Sequence, residues 1–168
     1  MIEKVLFNRK EVEQIKALGN NFHQAEVYSS GVVDVNINVR NSLKYPFKDN
    51  SVFKHLIVPK LKSLGIKDIG YESMLLIYKE GHYFIKHQDR HSKVGRRKKT
   101  LVIQLSDADE YTGGYLKVAN KAASKELGNV IVFDAATIHE VTKITSGFRY
   151  CFLAFLEESD LIKSKTLV

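Results

Sequence analysis

Three things are scarce in this 168-residue chain: it has one cysteine, two prolines and no long apolar run. With Cys151 alone, no internal disulfide can form, and a reducing, cytoplasmic compartment is the expected home. The opening stretch MIEKVLFNRKEVEQ is charged from Glu3 on and lacks the apolar centre of a signal peptide. No segment approaches the length that crosses a bilayer, so no membrane partner is expected. Internal repeats, linkers and low-complexity stretches are also absent. The composition itself is globular, 44% hydrophobic and 27% charged, which excludes disordered, collagen-like and coiled-coil readings. Its length suits one domain over residues 1–168.

The charge is unevenly placed. Lys and Arg number 26 against 19 Asp and Glu, a net charge of +7. Residues 86–99, KHQDRHSKVGRRKK, hold seven of those cations against one Asp, and the rest of the chain is close to neutral. One 14-residue segment therefore carries almost the whole excess.

Residues 1–70 read as a helical support region with a strand between two helices. Asn8 with Glu11 is a capping pair, Val12, Ile15 and Leu18 make an apolar face, and Gly19 stops the helix. Val32, Val35, Ile37 and Val39 lie in a β-branched stretch that ends at Arg40-Asn41-Ser42. A second helix is expected over 51–64, divided near Pro59 and ended by Gly65. From about Tyr71 the period becomes that of strands, with candidates at 73–79, 82–89, 100–106, 115–118, 129–133, 137–143 and 148–156. Helices followed by many short strands predict a mainly β (α+β) fold, a sandwich or jelly roll over 71–156 buttressed by N-terminal helices.

Strand alternation puts His87 and Asp89 on one face, together with Tyr83 and Ile85, and turns Lys86 and Gln88 outward. An imidazole beside a carboxylate can occupy two positions on a metal, and His139, in the apolar stretch 130–141, is the candidate for a third. Two histidines and a carboxylate are the facial set of non-haem Fe(II) oxygenases; structural zinc prefers four ligands, usually with Cys. Arg149 heads the apolar strand 150–156 after the Ser146-Gly147 turn, and an inward arginine there needs an anion, which its planar fork can grip at two points. Tyr78 offers a hydroxyl from the preceding strand; its odd separation from His87 is reconciled by the break at Glu80-Gly81.

Those residues fall in three ordered motifs. YKEGHYFIKHQD resembles the Y-x-x-G-x-x-F/Y-x-x-H-x-D segment of 2-oxoglutarate- and Fe(II)-dependent oxygenases of the prolyl 4-hydroxylase type. LSDADEYTGGYL resembles the acidic turn and Gly-Gly-x-Leu of the PKHD-type hydroxylases in that superfamily, and IHEVTKITSGFR is similar to their H-x-V…G-x-R ending. The resemblance covers roughly residues 71–156 and implies a double-stranded β-helix. It implies Fe(II) held by His87, Asp89 and His139, and 2-oxoglutarate gripped at its far carboxylate by Arg149 and Tyr78, with Gln104 facing the same co-substrate. Dioxygen is the other co-substrate that it implies, ascorbate a reductant, and hydroxylation with release of succinate and carbon dioxide the reaction. Two departures stand out. Tyr115 occupies a place where the family often has an acidic residue, and the chain ends twelve residues after Leu156, so the longer C-terminal extension of some relatives is expected to be absent or reduced.

His82, by parity, and His91, at the head of the basic loop, are expected to be exposed and not ligands. In the family the loop over 90–99 lies at the mouth of the site, so Arg90, Arg96, Arg97, Lys98 and Lys99 are expected to form a cationic rim that attracts an acidic peptide or protein. The leading expectation is a peptidyl (prolyl) hydroxylase. A nucleic-acid or small-molecule oxygenase is the alternative within the enzyme class, and a non-catalytic jelly-roll binding module lies outside it. No aromatic is interleaved from Arg90 to Lys99, so base stacking is not signalled.

Overall fold

The computed structural model describes residues 1–157 apart from 30–31, 50, 52, 67–68 and 92–94. In chain order the N-terminal part contains β1 (Ile2–Val5), α1 (Arg9–Lys16), β2 (His23–Gln24), β3 (Val27–Ser29), β4 (Val32–Asp34), β5 (Arg40–Asn41) and β6 (Leu43–Pro46). A helical segment follows, made of a π turn over Phe53–Ile57, α2 (Val58–Leu61) and a 3-10 turn over Lys62–Leu64. The remainder is β7 (Ile69–Tyr78), β8 (Tyr83–His87), β9 (Lys99–Gln104), β10 (Tyr111–Gly113), β11 (Leu116–Val118), β12 (Lys121–Ala122), β13 (Asn129–Asp134), β14 (His139–Val141), β15 (Ile144–Gly147) and β16 (Arg149–Glu157).

Two sheets dominate. The larger runs β1-β13-β9-β16-β7-β6-β2 and the smaller β12-β11-β14-β8-β5, with hairpin-like pairs β3–β4 and β10–β15 beside them. The order is that of a double-stranded β-helix. Its central strands are apolar on both faces because both faces are covered. Leu101 and Ile103, Val130 and Val132, Phe152 and Ala154 join Val12, Ile15, Ile57 and Leu61 of the helices in one cluster. The alternate residues Val102, Ile131, Phe133 and Cys151 join Leu116, Val118 and Val141 of the smaller sheet in another. Period-2 alternation thus divides each strand between a helical buttress and the barrel interior. Each fully buried Val, Leu, Ile or Phe contributes about 1.5–3 kcal/mol.

The capping pair forms: the Asn8 side chain accepts from Glu11 N at 2.9 Å, and Glu11 accepts from Asn8 N at 2.9 Å. Val12 and Ile15 are buried, but Leu18 lies past the helix end and is exposed. The expected strand through Val39 breaks instead at Asn36, whose carbonyl accepts from Val39 N and Arg40 N and turns the chain from the hairpin into the smaller sheet. Val35 and Ile37 are left exposed. Residues 1–70 therefore supply six short strands as well as helices. The second helical segment is divided as expected, with Pro59 in the first turn of α2 and Gly65 closing it in the left-handed region; Val52, expected within it, lies outside the described residues.

Gly113 sits at the bulge where β10 leaves β15, with φ at +70°. A Cβ there would fall 2.1 Å from the Lys143 carbonyl oxygen. Gly113→Ala is therefore expected to destabilise the protein by about 2 kcal/mol or more, from backbone strain and the backbone clash together. Urea unfolding followed by circular dichroism measures it; an unchanged midpoint would mean that the bulge tolerates a side chain.

Candidate active site

Antiparallel pairing of β14 with β8 sets His139 opposite His87. Two residues further along β14, Val141 faces Phe84, so three steps on β8 match two on β14, as a β-bulge requires. The bulge brings Phe84 inward beside His87, their rings stacked at 3.5 Å, and leaves Ile85 44% exposed. The inward placing of Tyr83 and Ile85 by simple alternation is thereby corrected; the Tyr83 hydroxyl donates outward to Ile37 O. Asp89 lies just past β8, where its N–H and that of Arg90 both donate to the Ala135 carbonyl.

His87, Asp89 and His139 converge, their candidate ligand atoms all within 4.8 Å of one another. His87 Nε2 is 3.4 Å from Asp89 Oδ1, and His139 Nε2 is 3.2 Å from Asp89 Oδ2. Each imidazole donates its Nδ1–H to a backbone carbonyl, His87 to Ile85 at 2.7 Å and His139 to Thr137 at 2.8 Å. A carbonyl can only accept, so the proton sits on Nδ1 and Nε2 is turned to the centre, the tautomer in which an imidazole can bind a metal. Burial pushes the Asp89 carboxyl up, but the two neighbouring imidazoles, His139 and His87, outweigh it and hold it well below the ordinary carboxylate range. The Thr100 hydroxyl donates to Asp89 Oδ2 at 2.6 Å. Two imidazoles and an ionised carboxylate are a donor set that fits non-haem iron.

The other end of the same cavity is basic. Arg149 and Tyr78 are directly paired residues of β16 and β7, and Cys151 of β16 faces Gln104 of β9. Arg149 is 1% exposed, and its Nη2 donates to Gln104 Oε1 at 3.1 Å. Its Nε and Nη1 are buried with no hydrogen-bond partner. A buried guanidinium with two unpartnered nitrogens calls for an anion. Between the two ends the walls are apolar, with Leu76, Val102, Leu116, Phe133 and Val141 lining the cavity.

A wider groove opens on the outer side of His87 and Asp89, lined by Tyr28, Arg40, Met74, His91 and Arg97 among others. His91 stacks on Tyr28 at 4.9 Å. His82 is half-buried, away from the trio, with Nδ1 unpartnered. The basic segment is laced to acids of the fold: Arg90 to Asp134, Arg96 to Glu157 at 3.0 Å, and Arg97 to Glu72 at 2.8 Å with its guanidinium 3.8 Å over the Phe155 ring. Arg97 also donates to the Asp89 carbonyl at 3.3 Å. Sequence reasoning missed Thr100 and Arg40. A hydroxyl within the apolar run of β9 was the available signal for Thr100; the half-buried Arg40, with Nε bonded to Ser42, gave none beyond its place at a strand end.

Comparison with known proteins accords with this geometry. The 2OG-Fe(II) oxygenase superfamily matches residues 73–157, just over half of the chain. A PKHD-type hydroxylase of Cupriavidus pinatubonensis is 30% identical over 119 residues, covering 64% of this chain and 51% of its own. One from Prochlorococcus marinus is 27% identical over 132 residues, covering 71% and 60%. The chain spans about half the length of the curated relatives it matches. Among solved structures, a Pseudomonas putida prolyl-4-hydroxylase superposes with a TM-score of 0.69 at 15% identity, over 94% of this chain and 91% of that one. The viral collagen prolyl hydroxylase of Paramecium Bursaria Chlorella virus-1 does so with 0.64 at 15%, over 94% and 95%. Those likenesses establish the double-stranded β-helix, and the match over residues 73–157 places the chain in the 2OG-Fe(II) oxygenase superfamily.

Proposed function

We propose that the protein is an Fe(II)- and 2-oxoglutarate-dependent hydroxylase acting on a peptide or protein, with proline as the target residue. The observation that carries the reading is the polarity of one cavity, whose ends are His87, Asp89 and His139 on one side and Arg149, with two unpartnered nitrogens, on the other. Those ends suit the two ends of a 2-oxo dicarboxylate. Fe(II), 2-oxoglutarate and dioxygen together supply oxidative hydroxylation of a C–H bond, with 2-oxoglutarate leaving as succinate and carbon dioxide.

The chain's own contribution is geometry and solvent exclusion. His87 and His139 would hold Fe(II) through Nε2, because backbone carbonyls hold their Nδ1–H groups. Thr100 fixes the orientation of the Asp89 carboxylate, which would be one of the groups holding Fe(II), so it is a positioning residue. Arg149 takes the distal carboxylate, with Tyr78 alongside and Gln104 orienting the guanidinium. The apolar walls keep water from the space between. Substrate reaches the iron from the groove lined by Tyr28, Arg40 and His91, and the likeness to prolyl hydroxylases supports a peptide there. The cations of the rim, Arg90, Arg96, Arg97, Lys98 and Lys99, favour acidic residues flanking the target. Action in a reducing, cytoplasmic compartment, which a chain with one cysteine suits, is part of the proposal.

Five measurements test the reading. Anaerobic Fe(II) with 2-oxoglutarate should give a visible absorption band that His139→Ala abolishes, while Arg149→Ala should raise the 2-oxoglutarate requirement by about tenfold or more with little change in iron affinity. A full band in the first variant, or equal losses in the second, removes those assignments. Thr100→Val should cost about 1.5–3 kcal/mol in urea unfolding, as expected for a buried hydrogen bond to a charged group. Neutralising Arg90 and Arg96 should raise KM for acidic peptides several-fold at low salt, and by less at high salt, with kcat little changed. Mass spectrometry of candidate peptides and oligonucleotides identifies the substrate class by a gain of one oxygen.

A further inference from the structure

The three candidate ligands border more than one opening. His87 and Asp89 line the groove beside the β3–β4 hairpin, whereas His139 lines a second groove. Sheet order sets the two apart. In the smaller sheet β5, whose Arg40 lines the first groove, flanks β8, while β11 and β12 lie beyond β14. His87 and His139 are paired residues of β8 and β14, so one groove leaves the site on each side of that pair. A free small molecule needs one such opening. A chain that continues past its reacting residue in both directions needs two.

The second groove has its own chemistry. Lys86 of β8, Lys117 of β11, Asn120 of the β11–β12 turn, Ile138 and Glu140 line it beside His139. Lys86 is exposed at the bulge in β8, and its ammonium reaches across β14 to donate to Asn120 Oδ1 at 3.1 Å. The turn that presents Asn120 holds Ala119 and Asn120 at φ of +49° and +65°, a conformation that costs an alanine free energy. It is tied down by the Ala119 N–H, which donates to Ile138 O at 2.9 Å. Lys117 and Glu140 stand opposite each other on β11 and β14, yet among the described residues Lys117 makes no ion pair. Bonded to a neutral amide, Lys86 also keeps its full charge and further N–H groups to donate. Two ammonium groups against the one carboxylate of Glu140 favour an anionic side chain. Ile138, 54% exposed, adds an apolar contact, and among the described residues no Phe or Tyr lines this groove for a base to stack on. We propose that the second groove is a substrate subsite, in which Lys86 and Lys117 bind an acidic side chain of a polypeptide whose reacting residue is internal. The inference rests on the functional reading above and extends it. The first groove takes the polypeptide on one side of the reacting residue, and the second takes it on the other.

The test uses labelled peptides with a central proline that carry aspartates on the N-terminal flank, on the C-terminal flank, or on neither. Each is titrated at low salt into the anaerobic Fe(II) protein with 2-oxoglutarate, and fluorescence anisotropy reads affinity without turnover. The parent is expected to bind both acidic peptides more tightly than the neutral one. The double variant Lys86→Gln with Lys117→Gln should bind one acidic peptide about tenfold more weakly, and the other two within about twofold of the parent. Neutralising Arg90 and Arg96 should weaken the opposite acidic peptide. Unchanged affinity in the lysine variant, equal weakening of both acidic peptides, or loss of the same peptide in both variants overturns the subsite. A parent that binds none of the peptides, or binds oligothymidylate in their place, overturns the functional reading itself. That failure shows in the parent, and failure of the subsite shows only in the variants.

Discussion

Everything in the interior is arranged around a charge that the protein does not neutralise by itself. Arg149 is a buried guanidinium whose polar contact is the Gln104 side chain, with Nε and Nη1 unmet. Burying such a group costs free energy, and the surrounding strands must offset it. They do so by being apolar on both faces. β16, which carries Arg149 at its head, is paired along its length with β7 on one side and β9 on the other. Phe152, Ala154 and Leu156 face the helices while Cys151 and Leu153 face the cavity. The strand that bears the charge is thus among the most firmly held in the molecule, and Arg149 has little freedom to swing out to solvent.

The same pairing gives the cavity an electrical direction. At the far end Asp89 lies between two imidazoles whose Nδ1–H groups are tied to backbone carbonyls, so the negative charge is fixed as firmly as the positive one. Apolar side chains separate the two, and in a low-dielectric space neither charge is screened by water. A ligand that carries a chelating end and an anionic end is oriented by that field before any chemistry occurs. Register, set by backbone hydrogen bonds, fixes how far apart the two ends lie.

Much of this is legible in the chain because the chemistry needs unusual residues in ordinary strands. His139 and Arg149 stand out against apolar neighbours, and His87 with Asp89 falls at alternate positions, so the trio and the arginine can be read from spacing and motif order. The bulge cannot. Alternation predicts Ile85 inward and Phe84 outward, whereas the extra residue in β8 reverses them, because a bulge is set by the pairing with β14 and not by β8 itself. The N-terminal third is less legible still. Two-residue strands such as β2 and β5 are too short to show a period, and Asn36 breaks a run whose composition is wholly that of a strand.

The basic segment shows how a formal charge differs from a field. Arg96 and Arg97 reach Glu72 within β7 and Glu157 at the end of β16, and Arg90 reaches Asp134 at the end of β13. The acids come from strands of the larger sheet, so these contacts fasten the loop after β8 onto it. Arg97 goes further, gripping the Asp89 carbonyl while stacking on Phe155, and so links the loop to the backbone of a residue that packs between His87 and His139. A segment that looks like a free cationic rim in the sequence is therefore partly a clasp. Its long-range field is weaker than its count of charges suggests, and its stiffness greater. That combination leaves contacts at short range to dominate over attraction from a distance.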